Sequence, residues 1–360
     1  MEKLRLRGKP VKKSTGAISR KDFIASAASI SLASAFRPKG LFAAGEESLP
    51  FGEVSHLGWV VKDLHATIDY WEKIGIGKIY VDEEHRLENT FFRGKPADVL
   101  VRWGWAQLGR VGLEMFEPVR GYSAYDRFME KHGEGIQHVA FAQETVEQLE
   151  SRLAALAGVG VEVLERGTFR NGQGIFVYLD TEPAIGVDVE LAYDPNYAKR
   201  KNDPPPAPPD GQLDPFGQII QYAFCVPDVD GFCGYLQKLG FAIREINRDN
   251  QGLERRYRGR KDDIRMHMGW SKFGEVTAEI IQPTKGRSIY DEFIEKHGGG
   301  FHHIAFAVSD MDRTLASLKE RGVEISQDGA WGKTSVEGRF AYLDTDSHGG
   351  LTIELLWDAP

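Results

Sequence analysis

The stretch Gly121–Ala142, GYSAYDRFMEKHGEGIQHVAFA, returns further along the chain at Gly286–Ala307 as GRSIYDEFIEKHGGGFHHIAFA. Most positions are identical, and the match extends outward on both sides at nearly the same offset. Long self-similar runs at one offset are typical of a chain that contains the same structural unit twice. The sequence therefore predicts an internal duplication with two halves of similar length.

Four polar positions keep their spacing in both halves, at intervals of 58, 24 and 52 residues in the first and 58, 24 and 51 in the second. They are His56, Glu114, His138 and Glu190 in the first half, and Gln221, Glu279, His303 and Glu354 in the second. Imidazole, carboxylate and amide groups without a thiolate suit Mn, Fe, Co, Ni, Zn or Mg. We therefore expect these residues to bind a divalent metal ion, one in each half.

Strand periodicity indicates where the carboxylates point. Glu114 lies in the middle of the apolar segment Val111–Phe116, and Glu190 and Glu354 lie in similar segments. Side chains alternate across a sheet, so the apolar neighbours face a helix layer and the glutamate faces the opposite side. If that side is solvent, the glutamate is only a polar exterior residue. If it is a barrel interior, the cost of an unpaired buried carboxylate favours metal binding, and the repeated spacing favours this second interpretation.

A weaker repeat lies inside each half. Val54–Val61 has the pattern of a strand and leads into a helix that ends at Gly75. Ile136–Phe141 does the same, leading into a helix at Val146–Ala157 that we expect Gly158 to end. Short alternating strands follow each helix. The predicted fold class is α+β, with four β-α-β-β-β modules and two modules in each half.

The domain boundaries follow from the duplication and from one proline-dense run. Lys199–Gly211 is charged and rich in proline, which favours a linker over a strand or a helix. We expect a first domain at 51–194, a proline-rich linker at 195–215 and a second domain at 216–360. Cys225 and Cys233 have no counterparts in the first half, so we expect small buried residues and no disulfide framework.

Residues 1–44 differ from the rest in charge. They contain ten Lys and Arg against two acidic residues, so with a formal net charge of −8 for the chain the remainder is about −16. An acidic body argues against nucleic acid as a partner. A basic segment, Ser19–Ile24, precedes a small apolar run, Ala25–Phe36, that is too short to span a bilayer. The segment resembles a twin-arginine export signal with Lys21 at the second arginine, which predicts a periplasmic protein without a stable membrane span. The alternative is a basic tail with an amphipathic helix.

These motifs resemble the vicinal oxygen chelate (VOC) superfamily, and each half is similar to a complete glyoxalase I or methylmalonyl-CoA epimerase unit. The resemblance covers nearly everything after residue 50 and is carried by Val54–Gly58, Glu114–Pro118, Phe128–Phe141 and Val189–Leu191. It implies that paired β-α-β-β-β modules curl into two open barrels in tandem, each around a divalent metal held by the four residues of its half. Relatives of glyoxalase I also have glutamine in place of this histidine, so Gln221 alone does not disable the second site.

The resemblance also implies a reaction class. A small substrate with oxygens on neighbouring atoms would chelate the metal, which stabilises the charge that forms when a proton next to a carbonyl leaves. The family assigns the base to a ligand glutamate, here Glu190 and Glu354, with Glu114 and Glu279 as the partners on the opposite face. We therefore expect a metal-dependent isomerase, epimerase or lyase. Epimerisation is favoured because the junction sequence is closer to the epimerases, whereas export argues against a CoA thioester as substrate.

Two other classes stay open. A non-haem Fe(II) dioxygenase of the same superfamily would hold iron with two His and one Glu, but Glu114 and Glu279 add a fourth donor and Gln221 breaks the triad in the second half. A non-catalytic small-molecule binder would normally lack the ligands that both halves retain. The sequence leaves open the oligomeric state and whether each barrel closes within one half or by exchange of modules between the halves.

Several further side chains have a structural and a functional interpretation. His132 and His297 end a predicted helix, where a capping role is favoured over catalysis. Tyr178 and Tyr342 are expected in the core with bonded hydroxyls rather than against a substrate. The basic run Arg255–Lys261 is interpreted as a solvated hairpin, with an anion-binding lip as the alternative. Asp188, matched by Thr352 in the second half, would orient a ligand in the first site only.

Overall fold

The computed structural model describes residues 51–200, with side chains as far as 197, together with 206–332 and 337–359. The predicted export signal at 1–44 and residues 201–205 of the predicted linker lie outside the described residues. In these ranges, no helix combines the length and the apolar character that crossing a bilayer requires. The two cysteines are free and buried, as predicted.

The first half forms one ten-stranded sheet, in the order β2-β5-β6-β1-β7-β10-β9-β8-β3-β4. Its strands are β1 (Val54–Val60), β2 (Tyr80–Arg86), β3 (Glu88–Phe92), β4 (Lys95–Pro96), β5 (Leu100–Leu108), β6 (Val111–Arg120), β7 (Gly135–Gln143), β8 (Val163–Phe169), β9 (Gly174–Leu179) and β10 (Asp188–Tyr193). Its helices are α1 (Leu64–Ile74), α2 (Ala124–His132), α3 (Val146–Gly158), α4 (Glu182–Ile185) and α5 (Pro195–Arg200).

The second half repeats this arrangement in a sheet of the order β12-β15-β16-β11-β17-β20-β19-β18-β13-β14. Its strands are β11 (Ile219–Cys225), β12 (Glu245–Asn250), β13 (Leu253–Tyr257), β14 (Arg260–Lys261), β15 (Arg265–Phe273), β16 (Val276–Lys285), β17 (Gly300–Ala307), β18 (Ile325–Trp331), β19 (Gly338–Leu343) and β20 (Thr352–Asp358). Its helices are α6 (Val229–Lys238), α7 (Ile289–His297) and α8 (Met311–Glu320).

The chain connection forces each sheet to curl. Strands β2 and β3 lie at or next to opposite ends of the sheet order, yet only Leu87 separates them along the chain. One residue spans less than about 4 Å, so the two ends of the sheet must approach each other. Gln251 and Gly252 make the same connection between β12 and β13. The predicted α+β fold with two open barrels in tandem is confirmed.

The first module of each half has more strands than predicted. The hairpin β3–β4 leaves its own module and pairs with β8 of the second module, and β13–β14 pairs in the same way with β18. The two modules of each half meet between β1 and β7, or β11 and β17, so each barrel is completed within its own half.

The helix boundaries agree with the sequence signals except at two places. Helix α1 begins after Asp63, whose side chain accepts a hydrogen bond from Ala66 N, and ends at Gly75 with a left-handed φ of 111°. Helix α3 includes Gly158, which we expected to end it, because Gly160 and not Gly158 adopts the left-handed conformation. The predicted linker begins with the short helix α5, and residues 206–215 contain neither helix nor strand. The domain boundaries stay a proposal.

One apolar core runs through both halves. The Phe141 ring lies 5.9 Å from the Phe273 ring, and Phe51 stacks on Phe241 at 5.0 Å. The indole of Trp59 donates a hydrogen bond of 2.6 Å across the junction to the carbonyl oxygen of Gly349. The halves therefore pack as one unit.

Glycines allow close backbone contact between the halves at two matching places. A β-carbon on Gly186 would lie 2.4 Å from the Cα of Gly300. The counterpart pair brings Gly350 against Gly135, where a β-carbon on Gly350 would lie 3.2 Å from the Gly135 nitrogen. Both Gly186 and Gly350 also have positive φ, so any other residue there would be strained. The same contact is thus made from each side of the junction.

Candidate metal centres

Four adjacent central strands each supply one donor to the barrel interior. In the first half they are β6 with Glu114, β1 with His56, β7 with His138 and β10 with Glu190. In the second half they are β16 with Glu279, β11 with Gln221, β17 with His303 and β20 with Glu354. The apolar neighbours of Glu114, Leu113 and Met115, pack in the core on the other face of the sheet. Glu114 and its apolar neighbours thus point in the opposite directions that strand alternation predicts.

The four donors of the first half converge on one point. Glu190 Oε2 lies 3.0 Å from His56 Nε2 and 3.0 Å from His138 Nε2, and Glu114 Oε2 lies 3.5 Å from His56 Nε2. All four residues are buried. The buried His138 Nε2 makes no well-oriented hydrogen bond, although it faces the carboxylates. Burial raises the pKa of Glu190, but His56 and His138 outweigh it and lower this pKa to about 2.

A buried amide fixes the orientation of His138. Gln137 Nε2 donates a hydrogen bond of 2.6 Å to Asp188 Oδ2, which leaves Gln137 Oε1 as an acceptor 2.6 Å from His138 Nδ1. Since an amide oxygen only accepts, His138 Nδ1 carries the hydrogen, and the neutral form of the ring therefore has its lone pair on Nε2, facing the cluster. Asp188 therefore acts on the ligand through Gln137, which the sequence reasoning missed although it directly precedes the histidine.

The second centre has the same layout with a different charge balance. Gln221 Nε2 lies 3.1 Å from Glu279 Oε2 and 3.3 Å from Glu354 Oε2, and His303 Nε2 lies 3.2 Å from Glu354 Oε2. Burial lowers the pKa of His303 to about 3, so this imidazole is neutral. Burial raises the pKa of both glutamates, and the charge of Glu354 raises that of Glu279 further. Two buried carboxylates with no cationic imidazole favour a bound cation.

The surroundings of His303 also differ from those of His138. His302 replaces Gln137, and its Nδ1 lies 2.8 Å from His303 Nδ1. A neutral imidazole can donate or accept at this atom, so the pair allows two tautomeric arrangements and only one leaves the His303 Nε2 lone pair free. The strand neighbour of each ligand histidine differs as well, with Gly58 in the first half and Ala223 in the second.

Both donor sets fit a divalent cation. In the first centre the donor atoms lie 3.0 to 3.5 Å from their neighbours, and in the second His303 Nε2 lies 3.2 Å from Glu354 Oε2 and 4.0 Å from Glu279 Oε2. Gln221 faces the second cluster with its amide nitrogen, so it becomes a ligand only when the amide turns to present its oxygen. Ligands bound at about 2.0–2.6 Å to one ion have this mutual spacing. The predicted ligands are thus brought together in each half, and the buried, unpartnered Nε2 atoms of His138 and His303 face the position that an ion would take.

Paired tyrosines line both centres. Tyr178 lies with its ring 4.7 Å from that of His138, and its hydroxyl is 2.8 Å from the hydroxyl of Tyr125. Tyr342 and Tyr290 repeat the pair at 2.8 Å in the second half. The expected buried tyrosines with bonded hydroxyls are confirmed. Their partners were missed, although both stand at matching positions of the stretch that defines the repeat.

The two helix-ending histidines do more than cap a helix. His132 Nδ1 lies 2.7 Å from the carbonyl oxygen of His297, and His297 Nδ1 lies 2.6 Å from that of His132. Each ring therefore donates across the junction to the end of the other helix. The prediction of a local role at the helix terminus was incomplete, because sequence alone does not show that the two helix ends meet.

The basic hairpin of the second half is mostly solvated, as expected. Arg256, Arg258 and Lys261 form exposed ion pairs with acidic partners. Arg255 is the exception, because its side chain is buried.

Comparison with known proteins identifies relatives of both halves. A family model described as the Glyoxalase/Bleomycin resistance protein/Dioxygenase superfamily matches residues 55–179 and 220–342. Among curated proteins, 4-hydroxyphenylpyruvate dioxygenase of Aspergillus fumigatus is 25% identical over 248 residues, which cover 60% of this chain and 59% of that protein. The uncharacterized protein YqjC of Bacillus subtilis is 28% identical over 98 residues, which cover 26% of this chain and 66% of that protein. The chain thus spans less than two thirds of either relative.

A solved structure shares the arrangement of the two halves. A mutant of 4-hydroxymandelate synthase from Streptomyces coelicolor superimposes with a TM-score of 0.54 at 16% identity, covering 86% of this chain and 93% of that one. At this identity the likeness concerns the fold alone.

Proposed function

The chain belongs to the Glyoxalase/Bleomycin resistance protein/Dioxygenase superfamily, whose members are generally metal-dependent enzymes, and we propose that it is a metal-dependent isomerase, epimerase or lyase. It would remove a proton next to a carbonyl in a small substrate with oxygens on neighbouring atoms. The observation that carries the proposal is the second carboxylate. Glu114 and Glu279 lie within the donor clusters, so each centre has a second carboxylate in addition to the single one that an iron dioxygenase uses.

The residues divide the work as follows. The cation of the first centre would be held by His56, Glu114, His138 and Glu190, and that of the second by their counterparts. When bound, a divalent cation supplies two further positions for substrate oxygens and stabilises the negative charge left by the departing proton. Glu190 is the proposed base of the first centre, since it is buried beside the other donors and stays ionised. Glu354 has the same place in the second.

The barrel supports this chemistry by burying the donors and by fixing the ligands. The Tyr125 and Tyr178 hydroxyls share one hydrogen bond, so the wall beside His138 presents ring surface to a substrate. Gln137 holds the tautomer in which His138 Nε2 is a ligand. Both features leave the carboxylates as the groups that take up and release the proton in the proposed reaction.

Proton exchange tests the proposal directly. The protein, analysed for bound metals, is incubated in D2O with α-hydroxy ketones, keto-sugars and 2-substituted acids, and loss of the α-hydrogen is followed by NMR. We expect exchange with at least one class, and we expect Glu190→Gln combined with Glu354→Gln to abolish it while the circular dichroism spectrum is unchanged. Undiminished exchange in the folded double variant would overturn the assignment of the base.

A dioxygenase is the second candidate, favoured by the 25% identity to a 4-hydroxyphenylpyruvate dioxygenase across 248 residues. His56, His138 and Glu190 contain the two histidines and one carboxylate that this chemistry needs. Glu114 distinguishes the two candidates. Oxygen uptake by the Fe(II)-loaded protein that survives Glu114→Ala would favour the dioxygenase, whereas loss of proton exchange in the same variant would favour the isomerase or lyase. A protein that purifies without metal and shows neither activity would favour a binding role.

The proposal extends to location and substrate. The basic segment and apolar run within 1–44 support export to the periplasm, where a CoA thioester is not available and a sugar or a hydroxy acid is the expected substrate class. Fractionation of cells that express the full chain with a C-terminal tag tests this, with replacement of Arg20 and Lys21 by Gln as the control. A cytoplasmic location of the unaltered chain would contradict it.

A further inference from the structure

Arg255 is turned into the second barrel by an irregularity in its strand. The pairing of β13 with β18 shifts register between Leu253 and Arg256, and Glu254 in this bulge has a positive φ of 49°. A bulge re-aims the side chain beside it. Glu254 and Arg256 consequently remain in the solvent-exposed ion pairs of the hairpin, whereas Arg255 is only 7% exposed.

The buried guanidinium has neutral partners only. Its Nη1 donates to the carbonyl oxygens of Ile264 and Asn250 at 2.7 and 3.1 Å, and its Nη2 donates to Asn250 Oδ1 at 2.6 Å. Its Nε is buried and has no hydrogen-bond partner. In the described part of the chain no carboxylate forms an ion pair with it. Burying a cation costs free energy unless an anion accompanies it. The Arg255 guanidinium is therefore suited to bind an anionic group.

Arg255 belongs to the interior that contains the metal centre. Its Cγ lies next to Gly329 of β18, where a β-carbon would come within 3.1 Å, so the absence of a side chain at Gly329 makes room for it. The same β-carbon would lie 2.6 Å from Cζ of Phe340, so the Phe340 ring and Arg255 meet over this glycine. The Phe340 ring lies 5.6 Å from the ring of Tyr342, which lies 5.0 Å from the ring of the ligand His303.

The first barrel has a neutral residue at the matching place. Thr90 follows Asn89, which has a φ of 48° in an equivalent bulge, and Thr90 is 3% exposed with a hydroxyl that has no partner. Two carboxylates and a divalent cation sum to zero charge in either centre. The second pocket therefore has a cation, Arg255, at a place where the first has the neutral Thr90.

We propose that Arg255 is a specificity-determining residue that selects a substrate with a carboxylate, such as a 2-oxo or 2-hydroxy acid, for the second pocket, while the first pocket takes an uncharged substrate. The free Nε–H donates to the substrate carboxylate. This assignment rests on the proposed function for the metal centre, and it adds that the two pockets of one chain take different substrates.

A matched pair of probes tests the assignment. Pyruvate and hydroxyacetone have the same three-carbon skeleton and oxygens on neighbouring atoms, but only pyruvate carries a charge. Their binding is measured by calorimetry in the full chain with His138→Ala, which leaves the second centre intact. We expect Arg255→Thr, which copies the first barrel, to weaken pyruvate by about tenfold or more, the usual value of a charge-assisted hydrogen bond, and to change hydroxyacetone by less than about twofold.

Two further variants make the test specific. Arg255→Lys keeps the charge and should retain more pyruvate binding than Arg255→Thr. Thr90→Arg, in a chain with His303→Ala, should give the first pocket a preference for pyruvate. Thermal unfolding identifies any variant that has lost its fold. If Arg255→Thr does not fold, the comparison of pyruvate with hydroxyacetone is made with Arg255→Lys instead. Equal weakening of both probes, no weakening of either, or no pyruvate binding by the parent chain would overturn the proposal.

The failure of this inference can be told from the failure of the proposed function. Elemental analysis of each variant reports metal content independently of Arg255, and the titrations are repeated with metal-stripped protein. A chain without metal whose pyruvate binding still depends on Arg255 would contradict the proposed function alone. A chain with normal metal content whose pyruvate binding ignores Arg255 would contradict this inference alone.

Discussion

The two halves share a backbone plan but balance charge in different ways. In the first centre two imidazoles face two carboxylates, and His56 and His138 hold Glu190 in its ionised form. In the second centre one histidine is replaced by an amide, and burial raises the pKa of both glutamates. The comparison shows that strand positions fix where the donors meet, whereas the neighbours of each donor decide how strongly the cluster needs a cation.

The largest expected effect separates the centres by removing one ligand at a time. His138→Ala and His303→Ala should each lower the metal content of the purified protein from two ions per chain to one, because a buried set that loses an imidazole loses more affinity than the 10- to 100-fold typical of outer-sphere changes. Elemental analysis after dialysis measures this. Retention of two ions in either variant would remove that histidine from the ligand set.

A second comparison concerns a buried carboxylate that only the first barrel contains. Glu165 accepts a hydrogen bond of 2.7 Å from Ala124 N at the start of α2, and Gln327 makes the corresponding contact to Ile289 N in the second half. Burial raises the pKa of Glu165 from 4.5 to about 7. The protonated carboxyl is therefore favoured in the folded state, so the stability it contributes is complete below about pH 4.5 and is lost as the pH rises through 7.

Replacing this carboxylate by the residue of the other half should remove its share of the pH dependence of stability. Relative to Glu165→Gln, the unaltered chain should lose up to about 3 kcal/mol of unfolding free energy between pH 4.5 and pH 8.5. Urea unfolding followed by circular dichroism at both pH values gives the difference, and Gln327→Glu should create a similar loss in the second half. A difference that does not change with pH would show that the buried carboxyl does not titrate in this range.

The residue paired with each ligand histidine on the neighbouring strand provides a third comparison, with Gly58 beside His138 and Ala223 beside His303. A β-carbon on Gly58 would lie 1.7 Å from His138 Cε1, and His138 is fully buried and cannot easily move. Gly58→Ala should therefore cost about 1–3 kcal/mol of stability and weaken metal binding at the first centre only. The matched control is Ala223→Gly, which should leave the first centre unchanged. Thermal unfolding and metal titration measure both outcomes, and an unchanged first centre in Gly58→Ala would contradict the packing argument.

The smallest expected effect comes from exchanging the residues that hold the histidines. Gln137→His should weaken metal binding at the first centre by about tenfold, because the fixed tautomer of His138 is lost. His302→Gln should strengthen binding at the second centre by a similar factor. Metal titration of the two single variants is the measurement. Equal affinities for both variants and the parent chain would show that these neighbours do not control the ligand tautomer.

Part of the fold and of the candidate site could be predicted from the sequence because each pattern occurs twice in the duplicated chain. The spacing of His138 and His303 and the apolar segment around Glu114 favoured donors on an inner face over a solvated one, and the resemblance to the VOC superfamily implied the two barrels. Other features depend on how distant segments meet. The hairpin β3–β4 joins the opposite module, and Arg255 has the same local composition as its solvated neighbours, so only the bulge distinguishes it. Gln137 was missed because its role appears only once Asp188 is placed beside it.

The junction between the halves has a consequence for how this protein came to vary. Its contacts are reciprocal, since His132 and His297 each bond to the other helix end and Gly186 meets Gly300 as Gly350 meets Gly135. A surface that pairs with itself in this way is that of an isologous homodimer. In such an ancestor every mutation would appear in both subunits at once. Fusion into one chain lifts that constraint, so one cavity can acquire an arginine while its twin keeps a threonine and the joint between them stays the same.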